Sequence, residues 1–276
     1  MSADTATGSP VASLRVIGRG RGFRNTSESI QTPLRRPNVG PVVEQSRLSL
    51  ADITLKMQYL TLETVDEDGK QIKGLVERFS TSSTKLQAVV QSLYELALEN
   101  YHYAAVAARL CHRMANVEVG ETKFRNLVLK LLQADYEGRD ILRGEGNDSY
   151  DACSLFAFVT FLVELYALLR TQNGEPLRAL LTPVFVCLKE LLTGLDNTEE
   201  EMEHCARELK RRGKFLHEQD SSRMEELLRS LRDKIVDSET SGYARCLLLE
   251  VLEMNARGWA LTDETKEYYK HAIDRV

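Results

Sequence analysis

Zinc-ligand spacing is missing from this 276-residue chain: there is no CxxC pair, and the five histidines form neither HExxH nor HxxxH. The five cysteines (Cys111, Cys153, Cys187, Cys205, Cys246) stand singly, mostly inside apolar runs, and their number is odd. That usage excludes a disulfide framework and fits buried thiols in a reducing compartment. The N-terminus has no apolar signal-peptide core, and the longest apolar window, Leu155–Leu169, is interrupted by Glu164 and falls short of a bilayer span. The expectation is a soluble intracellular protein, cytoplasmic with a nuclear pool as the alternative. A formal net charge of only −5 announces neither nucleic acid nor membrane.

Catalytic constellations are equally scarce. Cys111-His112 and His204-Cys205 are adjacent pairs, but neighbours on a helix point about 100° apart, so neither assembles a nucleophile with its base. Each reads as a buried thiol beside a surface or satisfied histidine. Gly144-Glu145-Gly146 lacks the preceding strand and the following GK[ST] of a phosphate loop, and reads as a turn with Asp148 or Ser149 capping the next helix. No enzyme, cofactor or metal is expected.

Charge is present but unevenly placed. Residues 1–47 hold seven arginines against three acids, a balance of +4, which leaves −9 on the remainder. Four of the six prolines also lie there, with little apolar periodicity, so residues 1–47 read as a disordered basic tail. Within it Gly18–Arg24 resembles Arg-Gly-rich segments of RNA-associated proteins, which makes Arg19, Arg21 and Arg24 candidate RNA contacts. A solvated linker is the plainer alternative.

The body is helical in its periodicity, and nothing in it reads as a strand. Residues 48–66 lack a clean period and are taken as a short docking segment, followed by a first helix near Gly69–Phe79. From residue 83 to 276 the chain reads as a stack of antiparallel helix pairs, each pair about 35 to 45 residues long. Thr81-Ser82-Ser83 caps a helix running to Asn100, and Tyr101–Met114 carries four alanines that allow a close neighbour. Three apolar segments then follow, 123–142, 152–170 and 175–192. The middle one is apolar almost all round, the mark of a helix packed on several sides. Thr198–Glu201 and Ser222–Glu225 read as capping boxes, Ser241–Arg257 as an amphipathic helix stopped at Gly258, and Trp259 as an anchor of the following turn. The basic knot Lys210-Arg211-Arg212 stands out on an otherwise acidic helix.

Ala104–Cys111 followed by Glu121–Leu129, then Phe158–Tyr166 and Cys246–Glu253 with Trp259, resembles the middle domain of eukaryotic initiation factor 4G in order and spacing. Related small proteins include those interacting with the poly(A)-binding protein and with the histone stem-loop-binding protein. Gly120–Arg125, Gly174–Arg178, Cys187–Leu192 and the Tyr268-Tyr269 pair are most similar to the translation initiation factor that depends on the nuclear cap-binding complex. The resemblance implies a right-handed all-α solenoid of about five HEAT-like helix pairs. It also implies a translation adaptor with initiation factors, the nuclear cap-binding complex and a DEAD-box RNA helicase as partners, and a possible homodimer. Only about eighty residues precede the middle domain here, where the vertebrate cap-dependent factor has a much longer region, so the chain is expected to depart from that relative in cap-complex dependence. Charged residues at helix ends nominate Lys123, Arg125, Glu175, Arg178, Lys210, Arg211 and Arg212 as partner contacts. The alternative is an RNA-binding protein acting through the Arg-Gly tail and the basic surface.

Overall fold

A computed structural model of the chain describes residues 48–142, 152–194 and 197–275, all within one unit, Ser46–Val276. The basic tail with Arg19, Arg21 and Arg24, and the turn at Gly144–Ser149, lie outside the described residues.

The periodicity becomes helices α1 (Leu50–Gln58), α2 (Asp68–Phe79), α3 (Ser83–Glu99), α4 (Tyr101–Met114), α5 (Phe124–Glu137), the short α6 (Arg139–Leu142), α7 (Ala152–Leu168), α8 (Leu181–Thr193), α9 (Glu199–Gln219), α10 (Ser221–Val236), α11 (Gly242–Ala256) and α12 (Asp263–Ile273). Helices along the chain alternate between two layers. In one, α1 lies beside α3 and α3 beside α5, and the layer resumes as α8 beside α10. In the other, α2, α4, α7, α9 and α11 follow as neighbours. This is an all-α solenoid of helical hairpins, with α7 at its centre. Phe158, Phe161, Leu162, Leu165 and Tyr166 are all buried because α3, α4, α8 and α9 surround it. The alanines of α4 are buried where α4 meets α7, since small side chains let the two axes close up.

Local chemistry sets the helix ends. Ser82, Thr198 and Ser241 each accept an N–H of the first turn, and Glu201 returns the bond to Thr198 at 3.2 Å, completing a capping box. Asn100 ends α3 and starts α4. Gly258, at φ +70°, closes α11 in the left-handed region that glycine tolerates.

Three local expectations are corrected, and a fourth segment gains detail. Residues 48–66 contain α1, capped by a Ser49/Asp52 box; Ile53 and Met57 point inward while Leu55 and Tyr59 face out, and apolar side chains on both faces blur the period. The start of α10 is capped by Asp220, whose carboxylate accepts the Arg223 N–H at 3.0 Å, rather than by Ser222. The segment from Lys123 breaks at Gly138, and a short antiparallel hairpin pairs Glu118–Val119 with Thr122–Lys123 around Gly120 at φ +60°. The apolar segment 175–192 resolves into a single 3-10 turn, Arg178–Leu180, followed by α8, with Pro183 in the first turn, where a missing N–H costs little.

Candidate partner-binding surface

The hairpin leading into α5 and the turn leaving α7 meet. Arg125 donates from its guanidinium to the Arg170 carbonyl at 3.3 Å, and Arg170 forms an isolated antiparallel bridge with Pro176. Between them the Thr171 N–H donates to the Glu175 carbonyl at 2.7 Å, and Gly174 takes φ +80°. Two of the sequence-nominated loops, Lys123–Arg125 and Glu175–Arg178, are thereby joined on one side of the solenoid. Lys123, Glu175 and Arg178 are exposed, and among the described residues Lys123 pairs with Glu118 across its hairpin at 3.6 Å. An exposed pair of that kind contributes at most about 1 kcal/mol, so these side chains are available to a partner at little cost to the fold.

The third nominated group is held differently. Arg211 donates to Glu164 at 2.7 Å, Arg212 makes a forked pair with the same carboxylate at 2.8 and 2.6 Å, and Lys210 reaches Glu250 at 2.8 Å. Glu164 is 1% exposed on α7. A carboxylate that deep requires counter-charges, and α9 supplies two from partly exposed positions. The bond to Glu164 also raises the already high pKa of Arg212. Nothing in the sequence paired Glu164 with these arginines, although a lone acid in an otherwise apolar helix is the visible signal.

Next to that cluster lies a second buried polar group. Thr160 donates to Glu208 at 2.8 Å, so its oxygen accepts from His204 Nε2 at 3.1 Å. Burial, reinforced by Arg207 and Arg211, lowers the His204 pKa to about 3, and the ring stacks on Phe156 with centroids 4.6 Å apart. Burial raises the Glu208 carboxyl above its ordinary range, with Arg211 opposing. Burial likewise pushes the Cys111 and Cys205 thiols up, away from the thiolate a nucleophile needs. Among the described residues no group of three or more His, Cys, Asp or Glu is placed to hold a metal ion, and no helix is long and apolar enough to cross a membrane.

Trp259 closes the far end. It sits at φ +68°, its indole N–H donates to His217 Nδ1 at 3.2 Å, and its ring lies on Gly213. A Cβ at Gly213 would stand 2.0 Å from the ring, so only glycine admits the tryptophan there. The ring is partly buried against the core, as expected of a turn anchor.

Residues 63–257 match the MIF4G domain, a span that includes α2 through α11. The chain is 35% identical over 198 residues to the CBP80/20-dependent translation initiation factor of Xenopus tropicalis, covering 71% of this chain and 33% of that protein. It is 32% identical over 192 residues to the MIF4G domain-containing protein of Mus musculus, covering 67% of this chain and 82% of the relative. For the Homo sapiens protein of the same name the identity is 30% over 189 residues, with 67% and 82% covered. The chain thus spans about a third of the first of these relatives and most of the other two. With the match running through both helical layers, the chain belongs to the MIF4G domain family.

Proposed function

We propose that this protein is a non-catalytic adaptor in mRNA translation, whose solenoid holds an initiation factor or a DEAD-box RNA helicase and links it to an mRNA-bound cap complex. The observation that carries the reading is the 35% identity over 198 residues to a relative named as a CBP80/20-dependent translation initiation factor. The joined loops at Lys123–Arg125 and Glu175–Arg178 supply a contact surface whose exposed charges do not hold the fold together. On this reading the protein works in the cytoplasm, where initiation factors are engaged, with a nuclear pool where a cap-binding complex is first met.

The test is to purify the tagged protein from its own cell lysate with and without nuclease. Initiation factors, cap-binding subunits or a helicase retained after nuclease is the expected result. Loss of every partner with the RNA would replace the adaptor by an RNA-binding protein. Charge reversal at both Lys123 and Arg178 should then reduce the retained partner while leaving the unfolding transition in place; unchanged retention would remove these loops from the contact surface.

A further inference from the structure

On the α2, α4, α7, α9 layer a cleft of about 770 Å3 opens. Helix α2 contributes Lys70 and Lys73, α4 contributes Arg109 and Arg113, the end of α7 contributes Leu168, and α9 contributes Arg212. Among the described residues the one acid on its wall is Asp66. Such a concentration of cations runs against the −9 balance of residues 48–276, so the overall charge does not account for it. His112 lies on the same wall. Its pKa is held down by burial and then by Arg170 and Arg113.

Asp66 shows what the cleft accepts. Its carboxylate, 63% exposed on the loop before α2, pairs with Arg113 and lies 3.8 Å from Arg109. Arg113 and Arg109 are 24% and 37% exposed, so both retain surface open to the cleft. A carboxylate therefore already sits on the two guanidinium groups that define the centre of the wall. Four successive helices of one layer, at the usual axial spacing of about 8–10 Å, make the cleft floor roughly 25–30 Å long. That matches an extended peptide of about eight residues at about 3.3 Å per residue. Among the described residues no Phe, Tyr or Trp lines the cleft. Single-stranded nucleic acid gains much of its affinity by stacking bases on such rings, and the lining favours carboxylates over bases.

We propose that this cleft is a docking site for an acidic peptide segment of a protein partner, with Asp66 occupying one carboxylate position until the segment arrives. Lys70 and Lys73 meet acids at one end, Arg109 and Arg113 at the centre, and Arg212, already neutralised in part by Glu164, closes the other. The proposal deepens the adaptor reading by naming the chemistry of one partner, and it rests on that reading for the partner's being a protein.

The test uses the full-length chain and a fluorescently labelled peptide of about ten residues alternating Glu and Asp, read by anisotropy, with an oligouridine RNA of equal charge in parallel. Lys70→Glu with Lys73→Glu should weaken peptide binding on the order of tenfold, each exposed charge contributing a few-fold. The basic tail is the same in wild type and variant, so the difference reports the cleft. Asp66→Asn should tighten binding about threefold by removing the internal competitor. Circular dichroism confirms that each variant is folded, and both lysines lie on the surface side of α2. Unchanged peptide affinity in the lysine variant, equal or weaker binding by Asp66→Asn, or substitutions that weaken the RNA and spare the peptide would each overturn the assignment. The outcomes separate from those of the nuclease experiment. Initiation factors retained by a protein whose cleft ignores the peptide would sink the cleft alone. A cleft that behaves as described, in a protein that retains no such factor, would sink the adaptor alone.

Discussion

His204 makes the stability of the solenoid fall in mild acid, and its contribution can be isolated. In the folded protein the ring is 1% exposed between Thr160, Phe156 and Glu208, with the Tyr101 ring perpendicular to it at a centroid separation of 5.8 Å and Arg207 and Arg211 nearby, and its pKa is lowered to about 3. In the unfolded chain it returns to about 6.5. Between those values the unfolded state binds a proton that the native state refuses, so stability is present above about pH 6.5 and is lost as pH falls towards 3. At pH 5.5 the unfolded imidazole is protonated about ten to one, which costs the fold about 1.4 kcal/mol. That figure holds for any folded pKa well below 5, and so does not depend on the depth of the shift. Glu208 acts oppositely: its raised carboxyl pKa makes its contribution favourable at low pH and lost as pH rises through the folded value. Comparing wild type with His204→Gln separates the two, because both proteins keep Glu208 and the glutamine amide nitrogen can take the place of Nε2 beside Thr160. The variant should be less stable at pH 7.5 by about 1–3 kcal/mol for the lost ring and its packing. Urea unfolding at pH 5.5 should find that deficit smaller by about 1.4 kcal/mol. A deficit equal at both pH values would mean that His204 titrates alike in the folded and unfolded chain, and the account of a neutral buried imidazole would fail.

Removing both Arg211 and Arg212 as alanines strands Glu164 without its counter-charges, and urea unfolding should show a loss of about 3–5 kcal/mol. Arg212→Ala alone leaves the Arg211 bond at 2.7 Å and should cost clearly less; equal losses would mean that the second arginine contributes nothing. Gly213→Ala gains about 1 kcal/mol of helix propensity yet must displace the Trp259 ring, so a net loss of about 1–3 kcal/mol is expected, with a red shift of the emission of the chain's single tryptophan. Unshifted emission would show that the ring does not rest on α9. Ser49→Ala removes the cap of α1 and should lower stability by about 1 kcal/mol, measured as a lower thermal midpoint; no change would show that α1 adds little to the fold.

The sequence by itself determined the helices whose apolar residues share one face, and the ends at which a side chain meets a backbone N–H a few residues away. Tyr101–Met114, the Thr198–Glu201 box and the Gly258 stop are all legible because their causes are local. Where local signals are mixed, as in α1 with Leu55 and Tyr59 facing out, or doubled, as at Asp220 beside Ser222, they do not decide the element or its cap. Only the tertiary structure decided which charges meet. Lys210-Arg211-Arg212 reads as one basic knot along the chain, yet α9 is placed so that Arg211 and Arg212 meet Glu164, 47 and 48 residues away, while Lys210 meets Glu250. The pairs Lys70/Lys73 and Arg109/Arg113 are unremarkable on their separate helices, and become one cleft because α2 packs beside α4 in the same layer. Helical periodicity is a property of a few turns of chain, whereas the field at a surface is a sum over side chains that folding alone brings within reach of one another.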